Sequence, residues 1–221
     1  MCATYGLGGG PSPEDQELDL DLPPLNERVN AKQVSLWMDQ HRHTARITGK
    51  NKHNLNPLIR QEAGRRQLEF AWWWLHLGGK PAEFSAFNSR DDKLVSRWKK
   101  GFQQRALLPA TWYLERGATF AFEGNPVFGI AAITTSVDNE DGTWLTTYSM
   151  VTRDAVAQAR QVHPRMPMIL PREFHDTWLD SDRSGDADLV TEAVLASEDP
   201  SHQVQQVPDP GSTSQRTAPL F

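Results

Sequence analysis

The chain has 221 residues, 38% of them hydrophobic and 23% charged, a globular profile long enough for one full domain and too short for two of ordinary size. No apolar run reaches the length of a membrane span, and a single cysteine excludes an internal disulfide and argues against a zinc site. The formal net charge of −5 is unevenly spread: residues 41–116 carry 15 basic and 6 acidic side chains, and the segments on either side are acidic, so a phosphate-attracting middle lies between two acidic ends.

In chain order, Met1-Cys2-Ala3-Thr4-Tyr5 has neither a basic flank nor an apolar stretch, which reads as a soluble intracellular domain without a signal peptide. Gly6 to Pro24 is rich in Gly, Pro and acid, and 11–24 is expected to be an acidic flexible loop. Its GLGGG run lacks the Lys-Ser/Thr of a phosphate loop and opens no βαβ unit, so no cofactor is assigned to it. Val29, Val34, Leu36 and Trp37 recur with a helical period over 26–40, with Asn26 as N-cap. The aromatic run over 67–77 predicts a strand, and 91–102, acidic at its start and Lys-Lys-Gly at its end, predicts a helix aligned with its dipole. Strands are expected at 106–114, 119–123, 126–134 and 144–152, helices at 153–161, 171–180 and 186–197, and a short extended piece at MPMIL. From 199 to 221 the chain is Ser, Gln, Pro and Asp with little to bury, and reads as a disordered tail. Strands cluster in the middle without regular βα alternation, so the class is α+β.

Several residues could carry chemistry. Removal of Met1 would expose Cys2 as a 1,2-aminothiol, whose amine condenses with an aldehyde and whose thiol then closes a thiazolidine; the same group could act as an N-terminal nucleophile on an amide. Alternatively, Cys2 is an ordinary residue at a frayed end. His163, followed by Pro164 and Arg165, belongs at a helix end or turn, where it serves as a general acid or base or is merely structural. Asn88 and Arg90 sit between an aromatic run and a helix-like stretch, suited to a small polar group and a phosphate or to turn capping. Trp72, Trp73 and Trp74 could stack on unpaired bases or pack in a core.

Met1-Cys2, Asn54-Leu55-Asn56-Pro57, Phe87-Asn88-Ser89-Arg90, Pro109-Ala110-Thr111-Trp112-Tyr113 and His163-Pro164-Arg165-Met166-Pro167 together resemble, in order and spacing, the SRAP domain, the SOS response-associated peptidase family. The resemblance implies one SRAP-like domain over 1–198, with a curved, mostly antiparallel, barrel-like β core flanked by helices. It implies an abasic-site sensor: the N-terminal cysteine forms a thiazolidine crosslink with the ring-opened sugar in single-stranded DNA, and the domain exposes that cysteine by its own peptidase activity. Carried over, Cys2, Asn88, Glu115 and His163 form the catalytic set, and Arg90, Asn54, Trp73, Trp74 and Arg165 contact DNA. Ala3 and Thr4 replace the family's Gly-Arg, and Asp92 stands where the family has Glu. In the aromatic-aromatic-Glu element Leu114 takes the acid's place, so a one-residue bulge would be needed to return Glu115 to the site.

Three classes of function fit: covalent capture of abasic sites, an N-terminal-nucleophile cysteine amide hydrolase, and a non-catalytic single-stranded DNA-binding relic. The expected protein is a monomer without metal or cofactor, away from membranes, cytoplasmic and associated with the bacterial nucleoid when engaged on DNA.

Overall fold

The computed structural model describes residues 2–9, 20–51, 54–138 and 143–208. Its centre is a ring of five strands: β3 (Leu55–Glu62), β4 (Arg65–Trp72), β8 (Arg105–Ala110), β11 (Phe128–Asp138) and β12 (Trp144–Asp154). β3 pairs antiparallel with β4 and β8, β8 with β11, and β11 with β12. One parallel bridge, Thr147 to Trp72, closes the ring between β12 and β4. Gly129, Ala131 and Ala132 on β11 and Ala106 and Ala110 on β8 supply the small side chains that a tightly curved barrel of few strands requires. β11 and β8 are buried along nearly their whole length, so their sequences read as continuous apolar runs rather than alternating ones.

β12 is longer than the ring needs. Its last residues leave β11 and gain β7 (Asn88–Arg90) on one edge, with Met150 opposite Asn88, and β13 (Arg165–Pro167) on the other, with Thr152 opposite Pro167. β14 (Ile169–Leu170) caps β11, and β5 (His76–Leu77) pairs with β6 (Lys80–Pro81) as a small ribbon. A second, antiparallel sheet runs in the order β15 (Gln205–Val207), β10 (Ala118–Ala121), β9 (Trp112–Glu115), β1 (Thr4–Gly6), β2 (Thr44–Arg46). The expected α+β class and curved, mostly antiparallel core are therefore present, with helices packed outside.

Helix α1 (Arg28–His41) buries Val34, Trp37 and Met38, and Trp37 Nε1 donates to Leu55 O at 3.0 Å, tying it to β3. Val29 and Leu36, expected on its inner face, are 70% and 60% exposed; the helix begins at Arg28 behind Glu27, and Asn26 does not cap it. Helix α2 (Ala157–Val162) starts later than expected because 153 and 154 still belong to β12. The 171–180 segment is a 3₁₀ turn at Arg172–Phe174 followed by α3 (His175–Leu179), whose Trp178 Nε1 donates to Ala106 O at 2.9 Å. Helix α4 (Ala187–Ala196) is capped by Asp186, which accepts from Leu189 N at 3.0 Å.

Two expectations need correction. Residues 91–102 form no α-helix: 3₁₀ turns at Asp91–Lys93 and Gly101–Gln103 flank a run of turns. Asp91 and Asp92, which would favour a helix start, are instead ion-paired to Arg165 and Arg90, and Leu94, Trp98 and Phe102 are each drawn into the core. The segment from 199 onward is not all tail: α5 (Glu198–Gln203) and β15 add to the domain, with Val207 opposite Thr119 on β10. The remainder of that tail, 209–221, lies outside the described residues, as does most of the expected loop over 11–24; of its last residues, Leu22 is buried.

Candidate active site

Cys2 precedes β1 and sits where the second sheet meets the barrel. It is 1% exposed, its Sγ–H donates to Thr4 O at 3.2 Å, and its own carbonyl accepts from Asn88 Nδ2 at 2.6 Å. Asn88 is held in place by β7, which in turn is pinned to Met150 of β12. Glu115 ends β9. The pairing of β9 with β1 (Thr4 opposite Leu114) and with β10 (Ala118 opposite Glu115) is regular, with no bulge, yet Glu115 is 4% exposed and Leu114 is the residue that faces outward. The expected bulge is therefore unnecessary: the pleat alone turns Glu115 inward.

Burial pushes the Cys2 thiol up to about 12, and the nearby charge of Glu115 pushes in the same direction. At neutral pH Cys2 is a protonated thiol. Beneath it, Tyr5 and Tyr148 share a hydrogen bond of 2.8 Å, and Asn56 Nδ2 donates to Tyr148 Oη at 3.1 Å and to Asn54 O at 3.0 Å. Trp73 stacks on Tyr148 with centroids 5.9 Å apart and meets Tyr5 edge-on at 5.0 Å. Sequence reasoning missed Tyr5, Tyr113 and Tyr148; a tyrosine in an apolar strand looks the same whether its hydroxyl is structural or faces a site.

This cluster has a consequence in alkali. Burial raises Tyr5, Tyr113 and Tyr148 above the ordinary tyrosine value, as it raises Cys2. The unfolded chain releases these protons at their ordinary values, about 8.5 for Cys and 10 for Tyr, while the folded chain still holds them. Stability is thus intact below about pH 8.5 and falls as pH rises towards 12. Thermal melts between pH 8 and 11 should show a steadily falling Tm, with tyrosinate absorbance appearing together with unfolding; tyrosinate in a protein still folded would contradict this.

His163 follows α2, half-buried, with Arg165 N donating to its Nδ1 at 3.0 Å. The same Nδ1 also lies 3.0 Å from Arg165 O, so the Arg165 backbone holds the ring by that nitrogen. It lies on the turn joining β12 to β13, fixed by Ala155 N donating to Pro164 O at 2.9 Å, so β12 carries partners of both Asn88 and the His163 turn. Arg90 is exposed and bidentate with Asp92 at 2.8 and 2.9 Å, an exchangeable surface pair.

Four expected DNA contacts sit elsewhere. Trp73 and Trp74 are 0% and 9% exposed, with Nε1 groups donating to Phe87 O at 2.7 Å and Ala82 O at 2.9 Å; rings so enclosed have no face to offer a base. Arg165 is buried and donates to Asp91, to Asp154 at 2.6 Å and to Thr152 O, so it knits β12, β13 and the turn after β7 rather than holding phosphate. Asn54 is buried, its Nδ2 donating to Arg46 O across to β2. Among the described residues no group of His, Cys, Asp and Glu is gathered to hold a metal ion, and no helix is long and apolar enough to cross a membrane.

The chain was compared with known families, curated proteins and solved structures. The family model described as SOS response associated peptidase (SRAP) matches residues 17–209, a span that contains Asn88, Glu115 and His163 and begins after Cys2. No curated protein matches. Among solved structures, a Bordetella bronchiseptica protein is similar at a TM-score of 0.60 and 16% identity over 94% of this chain and 100% of its own. A Bacteroides thetaiotaomicron protein gives 0.58 and 17% over 73% and 76%, and a phage-related protein of Bordetella bronchiseptica gives 0.53 and 19% over 75% and 80%. At such identities these structures establish a shared fold. With the family model covering most of its length, the chain belongs to the SRAP family, the DNA-damage-associated SOS response associated peptidases.

Proposed function

We propose that this protein captures abasic sites in single-stranded DNA as a covalent thiazolidine at Cys2, after its own peptidase activity removes Met1. The observation that carries the reading is the Asn88 amide on the Cys2 carbonyl at 2.6 Å, with buried Glu115 close enough to act on the thiol: the bond fixes the backbone of residue 2, and with it the positions from which the freed amine and the thiol act.

In the crosslinking reaction the Cys2 amine attacks C1′ of the ring-opened sugar, the carbinolamine loses water to give an imine, and the Cys2 sulfur adds to the imine carbon while its proton passes to nitrogen. Aldehyde and aminothiol become thiazolidine and one water, with no change of oxidation state. Burial holds the Cys2 thiol protonated while Met1 is in place; in the mature chain the amine attacks first and the thiol then closes the ring. Glu115 transfers protons at the sugar oxygen, His163 opens the sugar ring and reverses the crosslink, and exposed Arg90 exchanges Asp92 for a phosphate.

The test is a denaturing gel of the protein with single-stranded DNA carrying one abasic site, beside Cys2→Ala. A heat-stable shifted band is expected for the wild type and none for the variant, which should still bind the strand. Equal covalent product in both would remove Cys2 from the chemistry.

A further inference from the structure

Tyr113 occupies an unusual position for a tyrosine. Its ring is 0% exposed and stacked on Phe120, its cross-strand partner, with centroids 5.0 Å apart and planes 13° from parallel. That packing accounts for the ring but leaves the hydroxyl without a hydrogen-bond partner among the described residues. A buried hydroxyl in that state is destabilising, and phenylalanine at the same place would avoid the cost. Tyr113 lies two residues before Glu115 on β9, hence on the same face of the strand, and opposite Tyr5 on β1, the strand that follows Cys2. It is near enough to Cys2 and Glu115 that ionisation of either would disfavour its own. Asn88 Oδ1 is a second buried polar atom without a partner, on the side chain whose Nδ2 holds the Cys2 carbonyl. An orphan donor and an orphan acceptor beside one nucleophile suit a ligand that carries its own hydroxyl.

We propose that Tyr113 is a further catalytic residue of this site, its hydroxyl donating a hydrogen bond to the C1′ oxygen of the opened sugar as that oxygen passes from aldehyde to carbinolamine and leaves as water. This rests on the abasic-site reading above. In the step concerned, Glu115 first takes a proton from the Cys2 ammonium; the bond from C1′ to the amine nitrogen then forms and the carbonyl oxygen takes up one amine proton; Glu115 returns its proton to that oxygen, the C1′–O bond breaks and water leaves, and the remaining N–H proton passes back to Glu115 as the imine forms. Tyr113 keeps its own proton throughout and steadies the oxygen that gathers charge. Burial suppresses ionisation of the phenol, so its O–H remains a neutral donor.

The experiment is Tyr113→Phe, with three readouts: the rate of adduct formation on abasic single-stranded DNA, the yield of imine trapped by borohydride at short times, and the Tm. The variant should form both trapped imine and stable adduct about 100-fold more slowly, the low end for removing one such donor, with a Tm equal to or above that of the wild type. An unchanged rate overturns the inference while leaving covalent capture intact. So does a slower rate matched by a fall in Tm, which would make the hydroxyl structural, and so does imine that accumulates as adduct is lost, which would place the defect at thiol closure. A wild type that forms no adduct overturns the underlying reading and this one with it.

Discussion

Glu115→Gln should slow adduct formation on abasic single-stranded DNA by about 100-fold, the low end of what a positioned acid–base group contributes, while strand binding changes little. Gln keeps the volume and planarity of the buried side chain, so the loss cannot be ascribed to a cavity. The substitution also removes one of the two causes that push the Cys2 thiol up, leaving burial as the other. The thiol pKa should therefore fall below 12 but stay above that of a free cysteine. These two effects run in opposite directions: a more acidic thiol closes the ring no less readily, so a slower reaction isolates proton transfer at the sugar oxygen as the step Glu115 serves. Rates measured from pH 6 to 9 in both proteins check this. A wild-type rate in Glu115→Gln would mean that the carboxylate only shapes the field around Cys2, and that another group, with His163 first to be tested, delivers the proton.

The position of Glu115 also shows what a sequence can and cannot convey. Counting from the aromatic pair puts Leu114 in the acid's place, and only the strand pleat, with Glu115 buried and Leu114 half-exposed, shows which of the two turns inward. The barrel strands were legible because long apolar runs need two packed faces, and β8, β11 and β12 have them. The 91–102 segment misled because helix-like charge polarity is a local signal, and Asp91 answers instead to Arg165, 74 residues away in sequence. Arg165 misled for the same reason: next to His163 in a motif it looks like a ligand for phosphate, and only the fold brings two carboxylates to it. Within the basic middle of the chain, Lys50, Arg60 and Arg66 are paired with Glu83, Glu69 and Asp176, as Arg90 is with Asp92. Composition counts charges without saying which have a partner at hand. The Trp72-Trp73-Trp74 run is the clearest case: β4 ends at Trp72, and the next two rings turn into the core, where one of them supports the Tyr5–Tyr148 pair under Cys2.

The GLGGG run, to which no cofactor is assigned on sequence grounds, has a steric use at its first residue. Gly6 faces Trp112 across β1 and β9, and a Cβ at Gly6 would stand 2.1 Å from Trp112 Cε2 and 2.2 Å from Cζ2. The indole cannot swing aside freely: it is 7% exposed and its Nε1 donates to Gly8 O at 2.9 Å. Gly6→Ala should therefore cost roughly 3 kcal/mol, at the upper end for overpacking, and lower the Tm by about 6–12 °C for a chain of this size. The damage reaches the chemistry because the edge that must move carries Cys2. Shifting β1 away from β9 stretches the Asn88 contact to the Cys2 carbonyl, now 2.6 Å, so adduct formation should fall further than the loss of folded protein explains. Trp112→Leu in the Gly6→Ala background should recover much of the Tm by clearing the space, and a double-mutant cycle would read the coupling between the two positions. If Gly6→Ala melts and reacts like the wild type, the indole has room to retreat, and the seating of Cys2 depends on Asn88 and Glu115 rather than on how closely β1 approaches β9.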